Sequence, residues 1–305
     1  MIALAAVVAV FTAIGLGAER RFGDRADRLG QRLMSFLLWV VLPVVAFFNI
    51  ASLELSVPVG AGIGFAFLAH LTSFGLAYAL GTWVLRLERP AVGSLMLVAG
   101  LSNSGFLGLP FVTALFGFGQ LPLAVVYDVV VSLTLLVTVG FSIGAAFGTV
   151  GERPRDRVLS FFARNPALYA SGAGLLAPAV LAPDWAVDAS RVLVLATVPI
   201  GFFAVGVVLS AEARTAGTGF PPQITRPVAA AVLLKLAVPP AVLLALSATL
   251  VEVPGTYLSQ AAMAAGIQTL VVSSTYGLDR ALTAAAIAWS TVLVLAVGLV
   301  ASFLV

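Results

Sequence analysis

The sequence predicts an all-α polytopic membrane protein of ten transmembrane helices, built as two five-helix repeats of inverted orientation. Three observations carry that prediction. Hydrophobic residues make up 61% of the 305 and charged residues 10%, with a mean hydropathy of +1.12. A soluble domain of this composition has too few polar segments to cover its surface, so the bilayer must be the solvent. The apolar runs have about the length needed to cross, roughly 17–25 residues. Finally, the cations fall almost entirely in alternate connections between those runs.

In chain order the expected spans are Ile2–Gly17, Leu33–Ala51, Val57–Leu85, Ala91–Phe116, Leu121–Gly148, Pro166–Ala182, Val192–Ser210, Pro227–Leu250, Tyr257–Tyr276 and Ala281–Val305. The first is short for a full crossing, and the third is long enough to require tilt. The first run also lacks a basic leader and is followed by arginines, so a retained helix is expected there, not a cleaved signal.

Arg20, Arg21, Arg25, Arg28 and Arg32 follow span 1, and Arg86 and Arg89 follow span 3. Arg153, Arg155, Arg157 and Arg164 follow span 5, Arg214 and Arg226 follow span 7, and Arg280 follows span 9. The opposite connections hold only Arg191, while Lys235 lies within span 8. The positive-inside rule then places both termini outside a bacterial-type inner (plasma) membrane. The net charge of +3 reflects this orientation, and no nucleic-acid partner is implied.

A hydrophilic linker at 149–164 divides the chain into a first repeat, 1–148, and a second, 165–305. Five is odd, so the halves insert upside down relative to each other. Leu42-Pro43-Val44-Val45-Ala46-Phe47-Phe48 in span 2 echoes Val198-Pro199-Ile200-Gly201-Phe202-Phe203 in span 7, and Met96–Leu101 in span 4 echoes Met263–Ile267 in span 9. Inverted repeats with interrupted helices at matching positions are a mark of alternating-access carriers.

Span 4 carries the most conspicuous chemistry. Gly100, Ser102, Asn103, Ser104, Gly105, Gly108 and Pro110 fall together at membrane depth, where a regular lipid-facing helix would not hold them. Pro110 lacks an N–H, and the glycines let the backbone leave helical geometry, so peptide groups are freed. The expectation is a helix unwound near Asn103–Gly108 whose carbonyls and Asn103 side chain bind a polar solute or cation. The next half-helix would turn its positive end toward an anion. The alternative is a proline kink with small residues that permit close helix packing, but a kink does not require Ser-Asn-Ser in hydrocarbon.

Asn103-Ser104-Gly105-Phe106-Leu107-Gly108-Leu109-Pro110 resembles the N-[TS]-G-F-L-G-L-P signature of the auxin efflux carrier family. The resemblance extends through Pro43, Tyr127-Asp128, Val198-Pro199 and Tyr276-Gly277. It implies ten helices, with helices 4 and 9 broken and crossing, and a fold similar to that of bile acid sodium symporters within the bile acid/arsenite/riboflavin transporter-like superfamily. Plant exporters of the PIN type and bacterial carriers of small carboxylates are members. Family members commonly carry a proline in the helix 9 crossover, whereas Ala265–Leu270 has none and Gly266 stands in its place.

On these grounds the expected substrate-binding residues are Ser102, Asn103, Ser104, Gly105, Gly108, Pro110, Gly266, Gln268, Thr269 and Asn49. Serines and threonines of span 9 have the alternative of bonding to their own helix, and Asn49 that of capping. Three ionisable residues lie inside spans, where a charge costs about 2.5–3.5 kcal/mol: His70, Asp128 and Lys235. Asp128, roughly 10 Å deep at 1.5 Å per residue, is a candidate for Na⁺ or proton coupling, the alternative being a static pair with Lys235. Lys235, counted with Asp128 and His70 among the ion-coupling candidates, is placed to attract an anion or to snorkel. The imidazole of His70 suits proton movement, or a bond to a helical neighbour.

No enzyme is expected. Gly100–Ser104 lacks the second glycine of a serine-hydrolase elbow, and Asp279 is preceded by Leu278, not glycine. Zero cysteines exclude disulfides and thiolate metal sites. The sequence thus points to a secondary transporter of a small organic anion, such as a carboxylate or auxin-like acid, with H⁺ or Na⁺ as coupling ion and no other cofactor. A channel or uniporter, or a transporter-like sensor, is the competing class, and a homodimer is left open.

Overall fold

A computed structural model describes residues 2–52, 56–149, 166–215, 221–301 and 303. The linker, apart from Thr149, lies outside the described residues, as do its four arginines. Among the described residues the chain is helical, and the one β-type pairing is an isolated bridge. The helices are α1 (Ile2–Phe22), α2 (Asp24–Phe36), α3 (Leu42–Ala51), α4 (Val57–Ala79), α5 (Arg89–Gly100), α6 (Leu109–Phe116), α7 (Leu121–Val126) and α8 (Phe141–Phe147). After the linker come α9 (Pro166–Leu176), α10 (Asp184–Thr215), α11 (Arg226–Thr249), α12 (Gly255–Ala261), α13 (Gln268–Tyr276) and α14 (Arg280–Ala301).

Six stretches among the described residues are long and apolar enough to cross a membrane: Ile2–Phe22, Val57–Val84, Phe118–Phe147, Asp184–Ala211, Arg226–Thr249 and Arg280–Ala301. Trp39–Ala51 and Ser104–Phe116 are shorter apolar helices. The described residues are thus all-helical apart from their connections, and the chain is a multi-pass membrane protein.

The connection after span 1 is more ordered than its charge suggests. Gly23, at φ +51°, ends α1, and its N–H donates to the Glu19 carbonyl (2.7 Å). Only glycine adopts that φ without strain. Asp24 and Asp27 then occupy the first turn of α2, where carboxylates oppose the helix dipole. Gly30 lies against Val207 of α10, so the arginines of this segment ride on a packed helix.

Two packing groups emerge. α1 and α2 lie on α10, and α3 lies on α9 and α10, while α4, α5, α11 and α14 pack among themselves. α1 and α10 touch backbone to backbone: a Cβ on Gly15 would strike the Phe203 carbonyl, and one on Gly206 the Thr12 carbonyl. Such small-residue contacts replace the hydrophobic drive that lipid removes. At one end of this pair the buried Glu19 carboxylate sits 2.9 Å from Arg214 Nε and accepts from Ser210 Oγ (2.7 Å). Phe106 reaches toward α10 from the second group, lying within van der Waals distance of a Cβ placed on Gly201. This contact sets the interrupted part of span 4 against the first group.

Candidate functional site: the crossing of two broken helices

α5 and α6 together occupy expected span 4, and α12 and α13 occupy span 9. α5 stops at Gly100, and Leu101 is extended (φ −109°, ψ 130°). The break therefore falls at Leu101–Asn103, earlier than the Asn103–Gly108 expected from sequence. Ser104–Gly108 is wound as a wide π-type turn, with Gly108 N–H donating to the Asn103 carbonyl (3.0 Å). Pro110 follows directly on that wide turn, inside the continuous helical stretch Ser104–Phe116, with Gly108 and Leu109 both in right-handed helical geometry. The wide turn just before it takes up the missing N–H, and the break lies upstream of the proline. In span 9, α12 ends at Ala261 and α13 begins at Gln268, so the break exists without a proline.

The two breaks cross. Asn103 N–H donates to the Ala264 carbonyl (2.8 Å) and Gly266 N–H to the Leu101 carbonyl (2.9 Å), forming an antiparallel bridge between Ser102 and Ala265. A Cβ on Gly266 would come within 3.1 Å of the Ser102 carbonyl oxygen, so the glycine permits this approach. Neighbouring spans take up other freed groups: Ala265 N–H donates to Ser290 Oγ (3.1 Å), and Ser73 Oγ donates to the Ala99 carbonyl (2.8 Å). Lys235 Nζ donates to the Ala261 carbonyl (3.0 Å). Buried backbone groups in hydrocarbon must be paired, and here each of these is.

Side chains at the crossing are treated differently. Asn103 is 1% exposed, yet neither its Oδ1 nor its Nδ2 has a partner, and buried Ser102 Oγ has none. An unmade buried hydrogen bond costs about 1–3 kcal/mol, so a buried amide with both ends free calls for an explanation such as a bound group.

Ser104 turns the other way. Its Oγ lies 2.6 Å from Asp128 Oδ1 and 2.7 Å from Ser132 Oγ. With one proton per hydroxyl, Ser104 donates to the carboxylate and accepts from Ser132. Asp128, 6% exposed, belongs to a π-helical stretch, Tyr127–Leu133, of the kind found at functional sites. Its carboxylate packs on Gly105, where a Cβ would lie 3.1 Å from Oδ2.

The static pair of Asp128 with Lys235 is not formed, since Asp128 bonds Ser104 and Lys235 bonds Ala261. Lys235 is fully buried and does not snorkel. His70 Nε2 is 2.7 Å from Tyr127 Oη, and the Tyr127 ring stands edge-on to Tyr257 at 5.5 Å. Thr269 Oγ1 donates to the Gly266 carbonyl (2.6 Å), and half-buried Gln268 stands beside Gly266. Asn49 bonds elsewhere: its Nδ2 donates to the Val45 carbonyl (2.8 Å) and to Ser190 Oγ (3.2 Å), tying α3 to α10.

The structure thus gathers Ser102, Asn103, Ser104, Gly105, Asp128, Gly266 and Thr269 around the crossing. Sequence reasoning missed Ser73, Ser132, Ser290 and Gln260. Gln260 is fully buried beside Gly108, its Oε1 standing where a Cβ would be. The available signal was a polar side chain inside an apolar span, which is weak for serine and stronger for glutamine.

Residues 156–301 match a family model described as membrane transport protein. An uncharacterized transporter of Methanocaldococcus jannaschii is 28% identical over 288 residues, a match covering 87% of this chain and 86% of that protein.

Proposed function

We propose that the chain belongs to this membrane transport family, its span 4 motif resembling that of the auxin efflux carriers, and that it is a secondary active transporter of a small organic anion, a carboxylate or auxin-like acid, working by alternating access. The observation that carries this reading is the Asn103 amide, buried at the crossing of two broken helices with neither end bonded. Broken helices that bring terminal backbone groups to membrane depth are the binding device of such carriers.

In this reading the chain forms ten transmembrane helices in two inverted halves, 1–148 and 165–305, joined by the 149–164 linker. Both termini lie outside the inner membrane. α5 and α6 serve as the interrupted helix 4, and α12 and α13 as helix 9. The group containing α1, α2, α3, α9 and α10 rocks against the rest, exposing the crossing first to one side and then to the other.

Asn103 and Ser102 bind the polar part of the substrate. Gly105 and Gly108 leave room for the Asp128 and Gln260 side chains, Gly266 lets the two breaks approach, Pro110 shapes the half-helix that follows the break, and Gln268 and Thr269 face the solute from helix 9. Asp128 couples transport to H⁺ or Na⁺, with His70 as a secondary group. The logic is electrostatic: through Ser104, an ionised Asp128 stands one residue from Asn103 and opposes an anion there. A proton or Na⁺ on Asp128 removes that opposition, so cation and anion favour each other's binding.

Substrate flux into proteoliposomes tests the proposal, after a thermal-shift screen of mono- and dicarboxylates selects the solute. Saturable flux with counterflow is expected and is to be lost in Asn103→Ala. Unsaturable flux would mean a channel, and binding without flux a sensor.

A further inference from the structure

Each of the two half-helices that end at the crossing leaves a carbonyl without its helical donor, and the chain covers the two in unequal ways. In an unbroken span 4 the Ala99 carbonyl would accept from Asn103 N–H, but that group donates to Ala264 instead. In an unbroken span 9 the Ala261 carbonyl would accept from Ala265 N–H, but that group donates to Ser290. A neutral hydroxyl, Ser73, covers the first at 2.8 Å, and a lysine ammonium covers the second at 3.0 Å. The hydroxyl shows that satisfying such a carbonyl does not require charge.

Lys235 is nonetheless 0% exposed in the middle of an apolar helix. Among the described residues no carboxylate stands within ion-pair distance of it. What surrounds the ammonium is the carbonyl end of α12, which carries the negative pole of the half-helix, with His70 of α4 in Coulombic reach. His70 in turn bonds Tyr127. Backbone carbonyl oxygen at a half-helix C-terminus is the environment in which carriers hold a monovalent cation.

We infer that the Lys235 ammonium is a tethered monovalent cation, occupying at the end of α12 the place a free alkali ion would otherwise fill. This deepens the transport reading and rests on it only for its consequence, that a free coupling ion acts at Asp128 and not at this half of the crossing. The reason for a fixed cation is that it stays in place through every step of the cycle, holding the end of α12 without being released.

Purified protein without substrate, compared in NaCl and choline chloride at matched ionic strength, tests this through its apparent Tm. Lys235→Ala and Lys235→Met are expected to lose stability in choline and to regain it saturably with Na⁺, whereas Lys235→Arg behaves as the parent does. The quantity that decides is the Na⁺-minus-choline difference, which must grow when the ammonium is removed. A Na⁺ response at Asp128 appears in parent and variant alike and cancels. An unchanged difference, with both variants weakened equally in the two salts, overturns the inference. If the variants aggregate in choline, monodisperse recovery in NaCl alone supports it, and aggregation in both salts overturns it. No substrate enters the measurement, so its failure is separable from failure of the transport reading, which Asn103→Ala tests by flux.

Discussion

Ser104 donates a 2.6 Å hydrogen bond to the carboxylate of Asp128, tying the crossing to a helix 24 residues further along the chain. The Asp128 carboxylate is therefore linked to the crossing through one hydroxyl. Asp128→Asn keeps the size of the side chain and removes its charge. Flux through that variant is expected to lose its dependence on the pH or Na⁺ gradient while retaining exchange of solute. Ser104→Ala should preserve the gradient response but shift its midpoint, because the carboxylate loses its donor. An unchanged gradient response in Asp128→Asn, followed by proteoliposome uptake, would rule out coupling at this residue.

Asn103→Ala separates function from stability. Neither end of the amide has a partner, so truncation breaks no hydrogen bond and relieves an unsatisfied group otherwise costing about 1–3 kcal/mol. The apparent Tm should hold steady or rise, while flux and the ligand-induced thermal shift disappear. A Tm that falls with intact flux would mean that Asn103 is a structural residue.

Most of the membrane character was legible in the sequence, because span length and charge segregation are one-dimensional quantities. The break in span 4 was legible too, since Gly100, Ser102–Gly105 and Pro110 mark it locally. Its position differs from the expected one by a few residues: Pro110 draws the eye, but the helix runs through it from Ser104 to Phe116, with a wide π-type turn just before the proline. What settles the break at Leu101–Asn103 is the pairing with Ala264–Gly266, a contact between distant segments that no local pattern encodes. The echo of Met96–Leu101 in Met263–Ile267 would set Gly100 against Gly266, whereas the antiparallel bridge sets Ser102 opposite Ala265, Asn103 opposite Ala264 and Leu101 opposite Gly266. The residue with the free amide thus faces an alanine, whose side chain offers no hydrogen bond, which argues for one polar solute site and not two equivalent ones.

The backbone contact of α1 with α10 should be intolerant of any side chain. A Cβ on Gly206 would run into the Thr12 carbonyl, and one on Gly15 into Phe203 and Val207 backbone atoms. Backbone cannot turn aside as a flexible side chain can, so Gly206→Ala must separate the helices. Overpacking costs typically about 1–3 kcal/mol, and loss of the adjoining Glu19–Arg214 contact would add to it. A clear drop in apparent Tm is expected, whereas Gly17→Ala, with open space around its Cα, should leave Tm unaltered.

Gly266→Ala probes the crossing itself, by a different route from Asn103→Ala. The new methyl would lie 3.1 Å from the Ser102 carbonyl oxygen and 3.2 Å from Gln268 Oε1, so the first contact must widen by a few tenths of an ångström. Gln268 can rotate, but the Ser102 carbonyl belongs to the bridged strand and cannot move without straining the two cross-strand hydrogen bonds. The cost should sit near the lower end of the overpacking range, about 1 kcal/mol. Because the strain falls on the segment carrying Ser102 and Asn103, solute affinity should weaken together with Tm. Measuring both on one purified sample distinguishes this from a simple loss of fold: in Gly266→Ala the half-saturating concentration rises while flux at saturation persists. Were flux at saturation abolished with Tm untouched, Gly266 would be acting on the solute directly and not through the geometry of the crossing.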